Sequence, residues 1–159
     1  MTRLLLATLL GAALASPASA LSCLRPSVAA TFAQADAAEK EYVLAVGRIS
    51  VLPEEAIPTP GGDPNERQGY TVRARFDGEL ASPTGFDEAA SFPLTVEVEC
   101  AGPWCGGVPL AERMLVFVER RADENVLVEG PCPFWALQAT PEVVAQAEAC
   151  LRGEACTPE

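Results

Sequence analysis

Six cysteines, Cys23, Cys100, Cys105, Cys132, Cys150 and Cys156, constrain this chain more than any other feature of its sequence. All six lie beyond the first 20 residues, and an even number in an oxidising compartment reads as three structural disulfides. The competing reading is a zinc or redox site. No Cys-x-x-Cys pair is present, and the closest spacings are Cys100 to Cys105 and Cys150 to Cys156. Trp104-Cys105-Gly106 lacks the second cysteine that thiol exchange requires.

Residues 1–20 read as an export signal. Arg3 supplies a positive start, Leu4 to Leu14 an apolar stretch, and Ala18-Ser19-Ala20 a small-residue cleavage site. The apolar stretch is too short for a transmembrane helix of ~20 residues, and nothing later in the chain approaches that length. Cleavage after Ala20 would leave residues 21–159 as one domain, periplasmic or secreted, expected to be a monomer. The alternative is a lipoprotein acylated at Cys23. Ala20 and Leu21 fit that pattern poorly, and lipidation would leave an odd cysteine.

Charge and composition narrow the functions. The chain carries 11 Lys and Arg against 22 Asp and Glu, which argues against nucleic acid and anionic membrane as partners. It has no histidine and a single lysine, Lys40. Ser-His-Asp and Cys-His catalysis and histidine-ligated metals are thereby excluded. The carboxylate pairs Asp87-Glu88 and Asp123-Glu124 read as solvated turn residues. Glu97 and Glu99 alternate with Val96 and Val98 and read as an exposed strand face. Gly62-Asp63-Pro64-Asn65-Glu66 lacks the spacing and terminal glutamate of an EF-hand loop. No catalytic residue, metal or cofactor is expected.

The pattern of breakers and apolar residues sets the elements. Pro26 and Ser27 open a short helix over Val28 to Lys40 packed through Val28 and Phe32. Tyr42 to Leu52 is a strand with a bulge or bend at Gly47. A turn-rich loop over Pro53 to Gly69 follows. Tyr70 to Phe76 alternates, with Tyr70, Val72, Ala74 and Phe76 on one face and Arg73 and Arg75 on the other. Asp77 to Pro93 reads as irregular, and Leu94 to Val98 as the third strand. Arg113 to Val118, apolar enough to be buried on both faces for part of its length, turns through Arg120 to Asn125 into Val126 to Val128. Thr140 caps a last helix with Pro141 and Glu142 in its first turn, and Gly153 stops it. The expected fold is mainly β: a five-stranded antiparallel OB-type barrel with a short N-terminal helix and a C-terminal helix, stabilised by disulfides.

Several of these segments resemble a known family. Leu21-Ser22-Cys23 with Pro26 and a helix containing Phe32 and Ala33 looks like a Cys-x-Cys opening followed by an apolar helix. Cys105-Gly106, then Arg113 to Phe117, looks like a Cys-Gly motif followed by a strand. Val126 to Cys132, then Phe134-Trp135, looks like a strand ending in a cysteine just before a tryptophan. Together they resemble the netrin-like (NTR) modules, which include the tissue inhibitors of metalloproteinases. The resemblance implies that Cys23 pairs with Cys132. Cys105, deprived of its usual partner, is then left to Cys100, and Cys150 to Cys156. It also implies a binding function carried by Leu21, Ser22 and Cys23 beside Pro103, Trp104 and Cys105, toward a protein partner such as an extracytoplasmic protease. The departure is at the first mature residue. In the inhibitors it is a disulfide-tethered cysteine whose α-amino and carbonyl groups chelate the protease zinc, whereas here it is Leu21. A structural or accessory envelope protein without inhibitory activity is the alternative. Trp104 reads either as an exposed anchor or as a barrel-lid residue, and Trp135 as packing.

Overall fold

The computed structural model describes residues 22–59, 62–154 and 156. The signal segment and Leu21 lie outside them. Helix α1 (Val28–Ala37) precedes strand β1 (Glu41–Val51), a 3-10 turn (Pro64–Glu66), and strands β2 (Tyr70–Ser82) and β3 (Gly85–Val98). A two-residue ribbon of β4 (Cys100–Ala101) and β5 (Trp104–Cys105) follows. Strands β6 (Met114–Arg121), β7 (Glu124–Glu129) and β8 (Ala136–Gln138) lead into helix α2 (Pro141–Leu151).

Strands β1, β2, β3, β7 and β6 close into a barrel, because β1 pairs with β2 through Ala45–Val51 and with β6 through Glu41–Gly47. Four seams are antiparallel as expected. The fifth departs from that expectation: Thr95–Val98 of β3 runs parallel to Val126–Glu129 of β7. Both strands end at the same pole of the barrel as a result.

One strand can serve two neighbours only by bending sharply, and the sequence places glycine where the bend is. Gly47 faces Gly78 across the β1–β2 seam. A Cβ at Gly47 would stand 2.6 Å from the Phe76 ring, and one at Gly78 would stand 2.6 Å from the Gly47 Cα. The two missing side chains leave the space that Phe76, fully buried, fills beside Phe92.

The expectation that Asp77 to Pro93 is irregular is corrected. Strands β2 and β3 form one long hairpin, with a register shift at Leu80/Ala81. Pro93 is tolerated because its carbonyl accepts from Asn125 Nδ2 at 3.3 Å, on the side away from β2. The proline nitrogen faces the same way, where no strand is paired before Thr95, so no ladder bond is lost.

Burial follows the barrel wall. Met114, Val116 and Val118 of β6 point inward with Phe76, Val96 and Leu127, while Leu115 and Phe117 point outward beneath the helices with Val28 and Ala147. That accounts for a strand buried on both faces. Helix α1 begins at Ser27, whose Oγ accepts from Ala30 N, and ends three residues before the expected Lys40. The buried Thr31 hydroxyl lies 3.0 Å from both the Ser27 and Phe134 carbonyls, which ties α1 to the segment before β8. Thr140 Oγ1 accepts from Val143 N, and Gly153 ends α2 with φ +71°.

The disulfides are Cys23–Cys132, Cys100–Cys105 and Cys150–Cys156, the three pairs the family resemblance implies. Three disulfides suit an oxidising, extracytoplasmic compartment. Among the described residues no helix is long and apolar enough to cross a membrane.

The bridges differ in span, and so in effect. Cys23–Cys132 closes 109 residues and Cys100–Cys105 only 5. Replacing Cys23 and Cys132 together by serine is expected to lower the unfolding free energy by about 4–5 kcal/mol, against about 2 kcal/mol for Cys100 and Cys105, in the chain-entropy model. Urea unfolding of the two double variants measures this, and equal losses would show that span is not what matters.

Candidate functional site

The pole where β3 and β7 end and β6 begins gathers the residues singled out in the sequence. Its construction starts from Gly106. The Gly106 amide donates to the Glu99 carbonyl at 2.9 Å, and the Glu99 amide donates to the Glu129 carbonyl at 2.9 Å. A Cβ at Gly106 would collide with the carbonyls of Glu129 and Gly130. Glycine therefore lets the Cys100–Cys105 ribbon sit directly against the end of β7. Two residues beyond Gly130, Cys132 holds Cys23 with a Cα–Cα distance of 5.4 Å. The N-terminal segment and the ribbon are both anchored at Glu129–Cys132.

At the ribbon tip, Gly102 adopts φ +58° in the turn between β4 and β5. Arg67 Nη1 donates to the Pro103 carbonyl at 3.1 Å, bracing the ribbon against the β1–β2 loop. Pro103 and Cys105 are half-buried, and Trp104 is 41% exposed, so Trp104 is not a lid over the core. Ser22 and Cys23 are exposed. Trp135 is a packing residue: it stacks on Tyr42 at 4.5 Å between centroids and meets Phe134 edge-on at 5.3 Å.

The carboxylate pairs stand elsewhere. Asp87 is exposed and accepts from Thr84 Oγ1 at 2.5 Å, and hydrogen bonds from Ser82 and Thr84 hold it below its usual range. Glu124 is not in the turn as expected but opens β7, opposite Arg121, where it accepts from Thr95 Oγ1 at 2.5 Å. Glu99 is exposed as expected, but Glu97 is half-buried and takes a two-pronged bond from Arg121 at 2.8 and 3.0 Å. Arg121 also reaches the buried Glu119, which Lys40 approaches at 3.0 Å. The Arg121 guanidinium holds both carboxyls below the usual carboxylate range. Among the described residues no cluster of three or more His, Cys, Asp or Glu is arranged to hold a metal ion.

One residue of this pole escaped the sequence reading. Glu129 is 2% exposed, and its Oε1 has no hydrogen-bond partner among the described residues. The signal was present in Val126-Leu127-Val128-Glu129, where period-2 alternation puts Glu129 on the inward face with Leu127. It lies across from Val98 of β3, itself opposite Tyr70 of β2. Beyond Glu119↔Val126, strands β6 and β7 part, and β8 takes the edge of β6 that β7 has left. Glu129 stands in that opening and lines a cavity of about 380 Å³ with Met114, Val108 and Ala136.

Burial without a compensating charge pushes the Glu129 carboxyl up to about 8. In the unfolded chain it titrates near ~4.3. The native state therefore keeps a proton that the unfolded state has released, and this residue costs stability increasingly as pH rises between those values. Glu129→Gln is expected to match the parent at pH 4 and to exceed it by about 3–5 kcal/mol at pH 8.5. Urea unfolding at the two pH values checks this, and a constant difference would mean that the carboxyl is solvated. Comparison with protein-family models, with curated proteins and with solved structures finds no match, so this pole is read from its own residues.

Proposed function

We propose that this chain is an exported, non-enzymatic binding module that presents one pole of a disulfide-clamped barrel to a protein partner. The observation that carries the reading is the convergence of Cys23–Cys132 and the Cys100–Cys105 ribbon on Glu129–Cys132, with Trp104 left exposed at the tip. Short disulfide closure fixes the ribbon before any partner arrives, which reduces the ordering cost of association. A rigid, half-exposed tryptophan is the residue type that dominates interface energetics. The absence of histidine and the pairing of Glu97 and Glu119 with Arg121 speak against catalysis.

Export through cleavage after Ala20 belongs to the same reading. Cys23 engaged with Cys132 has no thiol to acylate, which favours a free terminus at Leu21 over a lipid anchor. The narrower form is inhibition of an extracytoplasmic zinc protease by that terminus together with Ser22 and the Trp104 ribbon. Leu21 lacks the covalent tether of a cysteine at that position, so ordering it on binding carries an added entropic cost.

A photoreactive residue placed at Trp104, and separately at Glu124 at the start of β7, tests the module in its native compartment. A discrete protein adduct at position 104 and none at 124 is expected. Adducts at neither site, or equally at both, would overturn the reading. For the narrower form, the mature protein beginning at Leu21 is assayed against a panel of zinc endopeptidases. Inhibition that Trp104→Ala weakens tenfold or more is expected, and no inhibition across the panel would leave binding without protease control.

A further inference from the structure

The opening where β6 and β7 part is more than a gap in the barrel wall. Its walls are Val108, Pro109, Met114, Pro131, Pro133 and Ala136, and Glu129 is the ionisable residue among those that line it. We propose that this cavity binds a primary alkylammonium group, with the ammonium on Glu129 and the carbon chain against the apolar walls. The inference is independent of the Trp104 surface.

Three observations point to that chemistry. Glu129 is 2% exposed, and its Oε1 is buried with no hydrogen-bond partner among the described residues, so the carboxyl lacks a donor. The lining supplies no cation to fill the place, and the nearby charged groups face away. Glu99 follows the inward Val98 and Arg113 precedes the inward Met114, so both lie on the outer face of the wall, where Arg113 pairs with Glu79 at 3.2 Å. Tyr70 stands in the same cross-strand row, and Arg67, beside the ribbon, donates from its Nη1 to the Pro103 carbonyl. The cavity, about 380 Å³ and open to solvent, falls in the range of small-molecule sites, and its mix of apolar walls with one placed polar group is typical of them. The chain's net charge of −11 disfavours an anion and attracts a cation, with which the carboxyl pairs once it has lost its proton.

Binding carries a proton balance. The carboxyl, pushed up to about 8 by burial, is largely protonated at pH 7. An arriving ammonium keeps its three N–H bonds, the Glu129 O–H bond breaks, the proton leaves to solvent, and a carboxylate–ammonium pair remains. Affinity for the amine therefore rises with pH up to about 8, whereas a carbonyl or carboxylate ligand accepting the Glu129 proton would bind more weakly as pH rises.

The two sources of such a group are a free amine and a lysine side chain, and the probes separate them. Titrate the disulfide-intact protein with n-hexylammonium, with an Nα-acetyl-lysine amide and with n-hexanol at pH 6 and pH 8, following backbone amide shifts of residues 105–109 and 129–136. Hexylammonium is expected to bind roughly 50-fold more tightly at pH 8 than at pH 6, as a carboxyl with pKa near 8 requires. Hexanol is expected to show neither the affinity nor the pH dependence. Tighter binding of the lysine amide would assign the site to a side chain, and tighter binding of hexylammonium to a free amine. Glu129→Gln is expected to abolish the pH dependence. Gly107→Leu, at a cavity position where a Cβ meets nothing within 4 Å, is expected to block binding without touching the carboxyl. No shift with hexylammonium at pH 8, equal binding of hexanol, or unchanged binding to either variant would overturn the proposal.

Discussion

The closure of the barrel depends on β1 hydrogen-bonding along both edges. Over Ala45–Gly47 it faces β2 and β6 at once, and no other strand could complete the ring. That double pairing requires a backbone able to bend through the wall and a core able to fill the inside of the bend. The Gly47–Gly78 pair supplies the first and the Phe76 ring the second. The outward residues of β6 then form the floor on which α1 and α2 pack, through Leu115 and Phe117. The inward residues of β3, β7 and β6 define the pole that carries the ribbon, the clamp and the cavity.

The same residue type behaves in opposite ways at two places on this wall. Glu119 and Glu129 are both buried glutamates within ten residues of each other. Glu119 faces outward, where Lys40 and Arg121 each reach it at 3.0 Å, and it is held ionised. Glu129 faces inward, meets no cation among the described residues and is pushed the other way. Strand parity alone separates them, since odd positions of β7 face inward and odd positions of β6 face outward. A one-residue slip of β6 would turn Glu119 inward, away from both cations, and one of β7 would turn Glu129 outward.

Much of the barrel was legible because burial writes itself into alternation. Tyr70 to Phe76 and Leu94 to Val98 show one apolar face, and Met114 to Val118 shows two. The hairpin between Asp77 and Pro93 was not legible, because Gly78 and Pro93 read as breakers when seen alone. Their tolerance comes from tertiary facts: the close approach of Gly47 and the outward turn of the Pro93 backbone. Strand β8 is three residues long and exists because β6 leaves an edge free, which no local pattern announces. At the pole, the cysteines and Trp104 stood out by type. Glu129 did not, since a single acidic residue after an apolar run looks like the end of a strand returning to water.

The very different spans of the three bridges also bear on the order in which thiols are consumed. Cys100 with Cys105, and Cys150 with Cys156, are separated by 5 and 6 residues, so each pair meets by local chain motion as soon as both members are present. Cys23 is synthesised first, yet its partner lies 109 residues on. Early local closure removes Cys100 and Cys105 from competition during that wait, and the late pair is shielded by its neighbours' haste. Once the last two thiols have closed on each other, Cys23 and Cys132 are the only ones left to join. Chain separation by itself thus steers oxidation toward one product, with no thiol remaining to reshuffle it.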